Sequence, residues 1–139
     1  MKSFESATSD DANWVAYDYA IVRVVPRVHL EVFANIGVVL HARTANFLET
    51  KLHLNEVPLL GLSPTLDLAL LQRAIAAYER VCRGGIEAAP VGLLPPSERF
   101  HWLTAPRSAV LQVSSVRPGR CLDPKKALDE LFECHVGEC

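Results

Sequence analysis

Apolar and polar positions along the chain follow two different periods, and each stretch of constant period predicts one element. Tyr17-Asp18-Tyr19-Ala20-Ile21-Val22-Arg23-Val24-Val25 is rich in β-branched and aromatic residues, which suit a pleated, half-buried surface. It predicts a strand that Pro26 stops. Asn35-Ile36-Gly37-Val38-Val39-Leu40-His41 is apolar on both faces, the pattern of a central strand. Phe47 to Leu54 alternates cleanly. Leu48, Leu52 and Leu54 share one face and Glu49, Lys51 and His53 the other, so one side is expected to meet water. The link from Ala42 to Asn46 is too short for a parallel crossover, so the second and third strands should form an antiparallel hairpin.

Beyond Ser63 the period lengthens. Leu68, Leu71, Ile75, Tyr78 and Cys82 recur at spacings of three and four, with Leu70, Ala74, Ala77 and Val81 beside them. That wide stripe predicts a core-facing helix. Ser63-Pro64 supplies its N-cap and first-turn proline, Asp67 lies near its positive end, and Gly84-Gly85 ends it. Residues 86–98, with Pro90, Gly92, Pro95 and Pro96, read as a covering loop. Phe100 and Trp102 alternate about His101 as in a strand, which suits core positions, and Trp102 could instead stack a base. A further strand is expected from Ser108 to Val116, and Asp123-Pro124 opens a last helix that turns Leu128, Leu131 and Phe132 inward and closes at Gly137. The order β-β-β-α-β-α implies an α+β fold: an antiparallel or mixed sheet of four to five strands with two helices packed on one face. Residues 1–13 are polar and aperiodic, a disordered lead-in to a single domain spanning 14–139.

Composition narrows the function classes. The chain has 139 residues, 50% of them hydrophobic and 22% charged, which is enough apolar material for a full core. Formal net charge is -2, so no global basic field advertises nucleic-acid binding. No run approaches a membrane span and the N-terminus lacks an apolar leader, so a cytoplasmic protein without membrane contact is expected. Cys82, Cys121, Cys134 and Cys139 are irregularly spaced, which predicts reduced thiols rather than a disulfide framework. Cys134, His135 and Cys139 form too loose a cluster for a zinc knuckle, and neither a metal nor a cofactor is expected.

Two constellations carry candidate chemistry. Between Arg99 and Arg120 lie four arginines, Arg99, Arg107, Arg117 and Arg120, and no acidic residue, with His101 and Trp102 among them. The guanidinium fork matches phosphate and carboxylate geometry, so a local anion site is conceivable on an acidic protein. The alternative is a set of solvated or paired surface arginines. The second constellation surrounds the first connection: Arg23, Arg27, His29, Glu31 and Asn35, with His41 and Arg43 at the far end of strand two. Such groups offer acid–base and anion-binding chemistry, and they equally cap turns. The candidate ligand-binding residues are therefore Arg27, Glu31, Asn35, Arg99, His101 and Arg107. No Walker loop, GxGxxG, HExxH, paired CxxC or GxSxG occurs, so no strong catalytic signature applies.

Three long segments, residues 17–27, 31–40 and 98–108, resemble a bacterial family catalogued as domain of unknown function 3037. They include Ala34-Asn35-Ile36-Gly37 and Arg99-Phe100-His101-Trp102. The likeness runs from about Tyr17 to Phe132, and Ala34-Ile36 replace the valines usual around Asn35. The resemblance implies no catalytic residues. It does imply a partner, because members are often encoded beside HipA-like kinases, as in a toxin–antitoxin or stress module.

Three functions follow as expectations. The first is a small regulatory domain that binds a partner protein, a HipA-like kinase in the family reading, through an exposed apolar patch. The second is an enzyme or a nucleotide- or RNA-binding domain, directed at phosphate, with Arg27, Glu31, Arg99, His101 and Arg107 converging in one cleft. The third is a homodimer through the edge of strand three, against which Glu49 and Lys51 argue mildly.

Overall fold

A computed structural model describes residues 13–27, 32–63, 65–106 and 110–136. The element order is β1 (Val15–Arg27), β2 (Val32–Ala42), a 3-10 turn (Arg43–Ala45), β3 (Phe47–Leu52), α1 (Glu56–Leu62), α2 (Leu68–Arg83), two further 3-10 turns (Ile86–Ala88 and Val91–Leu93), α3 (Pro96–Leu103), β4 (Leu111–Val113), β5 (Arg117–Cys121) and α4 (Pro124–His135). The fold is α+β. Its five-stranded sheet runs β3-β2-β1-β4, with β5 also paired to β1, and all its pairings are antiparallel. The expected lead-in falls outside the described residues up to position 12, as does the helix stop at Gly137.

Alternation along β1 divides the interior in two. Ala20, Val22 and Val24 pack with Leu71, Tyr78, Val81, Phe100 and Leu103 from α2 and α3. Ile21, one residue out of step, packs with Leu128 and Phe132 of α4. Successive side chains of a strand point to opposite faces, so helices cover both sides of the sheet. This corrects the expectation of two helices on one face. The apolar run of Val38, Val39 and Leu40, each fully buried, is the signature of that double cover.

The same cover changes the polar side of β3. Leu48 and Leu52 pack as expected, but Lys51 lies over the Phe132 ring at 4.8 Å and pairs with Asp129 at 3.3 Å. That side is paired with α4 and still meets water as expected, with the Glu49 side chain 50% exposed and that of Lys51 38%. The β2–β3 hairpin forms as predicted, with Asn46 in the left-handed region closing its turn. A register shift between Val22 and Arg23 marks a bulge in β2, and beside it Gly37 lies where any Cβ would run into the Leu52 side chain and the Lys51 carbonyl.

Four boundaries differ from expectation. Strand β1 continues through Pro26 to Arg27. Helix α2 is capped by Asp67, whose carboxylate accepts from the Leu70 amide at 3.0 Å, while Ser63 ends the separate short helix α1. The segment Phe100–Leu103 is helical, so Phe100 and Leu103 are buried at a spacing of three and Trp102 turns outward, 38% exposed. The strand expected over Ser108–Val116 is short, and β5 follows it on the same edge of β1. At the break, the Ser114 amide donates to the Ile21 carbonyl at 2.8 Å and the Ile21 amide donates to Ser114 Oγ at 2.9 Å. A side-chain hydroxyl thus completes the ladder that the backbone leaves, which keeps a buried amide satisfied.

Candidate functional site

On the face covered by α2 and α3, the helical layer stops short of one end of the sheet. Register places Pro118, Asp18 and His41 in one cross-strand row, with Arg120 opposite Ala16 beside it. Helix α3 forms one wall with Ser97, Phe100, His101 and Thr104, and the β2–β3 turn adds Arg43 and Thr44. The resulting open cleft has a volume of about 940 Å³. On the opposite, α4-covered face Gly119 lies against the Tyr17 ring, where a Cβ would collide with the phenol.

His41 is the buried polar group of this cleft, 8% exposed, with its ring 5.2 Å from that of Phe100. Burial lowers its pKa below the ordinary histidine value; Asp18 opposes the shift, and Arg43 and Arg99 reinforce it. At neutral pH the ring is therefore uncharged and keeps an acceptor nitrogen. The Tyr17 phenol is raised, mainly by burial and then by Cys121, Tyr19 and Glu130, so it stays protonated. Arg120 also stacks on Trp14, with its guanidinium carbon 5.8 Å from the ring centroid.

The six residues singled out from the sequence do not share one place. His101 lines the cleft. Arg99, two residues earlier, points away from it. Its Nη1 donates to the carbonyls of Val81 at 3.1 Å and Cys82 at 2.6 Å, and its Nε to that of Leu94 at 3.0 Å. This arginine holds the C-terminal carbonyls of α2, where helix polarity favours a cation. It packs against Gly84, whose φ of 81° suits glycine. The Cys82 thiol beneath it is pushed up to about 12 by burial and stays unreactive.

Asn35 belongs to the other end of the β1–β2 ladder. Asn35 is the cross-strand neighbour of Arg23, five residues from Asp18 along β1, which is about 17 Å at the rise of a strand. Its Nδ2 donates to the His135 carbonyl at 3.1 Å, while its Oδ1 and the Nε of Arg23 are buried without a partner. The Arg23 guanidinium stacks on Phe33 at 4.4 Å. The backbone of Arg27 continues β1 still further from His101, opposite Val32. Glu31 and Arg107 lie outside the described residues. Of the expected convergence of Arg27, Glu31, Arg99, His101 and Arg107, only the side chains of Arg99 and His101 are described, and these two part: His101 shares the cleft lining with His41, Arg43 and Arg120, and Arg99 does not.

His41, Arg43 and Arg120 stood in the sequence constellations but not among the six. Their signal was the hairpin, which fixes His41 and Arg43 at one end of the sheet. The return of β5 onto β1, which brings Arg120 there, has no comparable local mark. Among the described residues no group of three or more His, Cys, Asp and Glu side chains is arranged to hold a metal ion. No helix among them is long and apolar enough to cross a membrane.

No curated protein and no solved structure matches the chain. One family model does, across residues 19–136, covering β1 from Tyr19 through α4 and so both ends of the ladder. On that match the chain belongs to the DUF3037 family, proteins of unknown function.

Proposed function

We propose that this domain binds an anionic, phosphate-bearing ligand in the cleft between the sheet and α3. The observation that carries the reading is the meeting of Arg43, Arg120, His41 and His101, from four separate elements, on one open cleft. The two guanidinium groups supply fixed positive charge, and that of Arg43 has the fork geometry for phosphate oxygens. Neutral His41 adds an acceptor for a ligand hydroxyl or amine, and the Ser97 and Thr44 hydroxyls add adaptable donors. If the ligand is turned over, His41 is the group suited to take a proton. The test is calorimetric titration with nucleoside mono- and triphosphates and a short RNA. Binding that weakens about tenfold in Arg43→Ala and in Arg120→Ala supports the reading. Absence of binding, or binding indifferent to both substitutions, overturns it.

A second reading is favoured by a different surface. Ile86 is 79% exposed and Leu93 64%, on adjoining 3-10 turns tied by a bond from the Gly85 amide to the Gly92 carbonyl at 2.8 Å. With Leu94 they form an apolar knuckle of the kind that docks a partner protein. The partner in this reading is the HipA-like kinase that the family resemblance implies, with the domain as its regulator. Native co-purification tests it: recovery of a kinase-like protein near one-to-one, lost in Ile86→Asp with Leu93→Asp, supports it. Recovery of the chain alone counts against it.

A further inference from the structure

We infer that a second copy of this chain docks on the outer edge of β3, antiparallel and in one register, with a twofold axis passing beside Thr50. Strand β3 ends the sheet order, so its far side has no strand partner among the described residues. Which backbone groups face that side follows from the pairing with β2. The His53 amide donates to the Ile36 carbonyl at 2.8 Å, and the register continues through Lys51 opposite Val38 and Glu49 opposite Leu40. Backbone groups alternate in direction along a strand, so those of Leu48, Thr50 and Leu52 point outward. A groove of about 640 Å³, lined by Leu48, Glu49, Thr50, Glu79, Cys82 and Arg83, runs along that edge and leaves it open.

Charge selects both the occupant and its register. A twofold at Thr50 sets Thr50 against its own copy and Leu48 against the copy's Leu52, each exchanging backbone hydrogen bonds. It also sets Glu49 against the copy's Lys51, and Lys51 against the copy's Glu49, at the closer, non-bonded positions where side-chain pairs interact most. The axis shifted to Glu49 or to Lys51 would oppose like charges. Shifted to Leu48 or Leu52, it would leave Glu49 facing Phe47 or Lys51 facing His53. Only the Thr50 register matches both signs. The groove wall is self-complementary as well, since Glu79 and Arg83 sit one turn apart on α2 and carry opposite charges. Charged residues usually protect an edge strand against pairing, and here the same two residues specify a single pairing instead.

The experiment is sedimentation equilibrium of the full chain from about 1 µM to 1 mM, with amide exchange measured at both limits. A monomer–dimer equilibrium is expected, weakened about tenfold by Glu49→Lys and by Lys51→Glu, each of which creates two like-charge pairs. Combining the two substitutions restores it. The combined variant disturbs the exposed ion pairs from Lys51 to Asp129 and from Glu49 to Lys125 more than either single change, so its recovery separates dimer pairing from internal pairing. In the unaltered chain the Thr50 and Leu52 amides slow at the higher concentration and that of Lys51 does not. A monomer throughout overturns the inference. So does a dimer that ignores both single reversals and leaves Thr50 exchange independent of concentration.

Discussion

Helix α3 separates two arginine-bearing regions that use the same chemistry differently. On one side, Arg99 spends its donors on the carbonyls of Val81, Cys82 and Leu94, and so fastens the end of α2 to the turn before α3. On the other, His101 lines a cleft with Arg43 and Arg120, and no salt bridge to Arg43 is found among the described residues. The two residues are near neighbours in sequence, yet a helix turns each by about 100° from the last and sends them to different surroundings. Residue type alone therefore does not tell an anion site from a structural clasp. What decides is whether backbone carbonyls already take the guanidinium's donors.

The comparison is open to test, beginning with the largest effect. Arg99→Ala should destabilise the fold by about 2–3 kcal/mol, because charge-assisted bonds are lost and the carbonyls at the end of α2 lose their partners. Urea denaturation measures it. An effect near zero would move Arg99 to the cleft's class. Tyr78→Phe removes the bond from the Tyr78 hydroxyl to the Leu103 carbonyl, 3.0 Å and buried, and should cost about 1 kcal/mol by tying α2 less firmly to α3. Arg43→Ala should change stability by no more than about 0.5 kcal/mol while weakening phosphate-ligand binding. His101→Ala, at an exposed position, should change stability least of all.

His41 sharpens the same contrast through pH. Its folded-state pKa lies below the unfolded value of 6.5, so the unfolded chain binds the proton more readily. Its contribution to stability is thus full above pH 6.5 and is lost as pH falls below that value toward the depressed folded pKa. Denaturation midpoints should decline across that window and decline less in His41→Phe. An unchanged slope in the variant would mean that other groups govern the acid side.

Much of the frame was legible from local pattern. The β2–β3 hairpin followed from a short link between two apolar runs, α2 from its stripe and glycine stop, and α4 from Asp123-Pro124, where the Asp123 carboxylate accepts from the Lys125 amide at 3.1 Å. Phe100-His101-Trp102-Leu103 was not legible. Four residues that are apolar at positions one, three and four fit a strand's alternation and a helix's spacing equally, and only the partner surface of α2 decides between them. The water-facing side of β3 was legible, since Glu49, Lys51 and His53 keep contact with solvent; the pairing of the first two with Lys125 and Asp129 of α4 was not.

What the sequence determined by itself was local: most element types, the hairpin, the Asp123 cap of α4, the α+β class, and the family through its long motifs. Period, turn chemistry and chain length are enough for these, because each depends on residues close in sequence. Tertiary structure alone decided the rest. It put α4 on the second face of the sheet and returned β5 to β1, which brought Arg120 to the cleft that His41 and His101 also line while turning Arg99 away. Those outcomes rest on contacts between segments some sixty to a hundred residues apart, such as the Ile21 amide on Ser114, separated by 93 positions. Closing such loops is driven by burying apolar surface on both sides of one sheet, and no local pattern records which surfaces will meet.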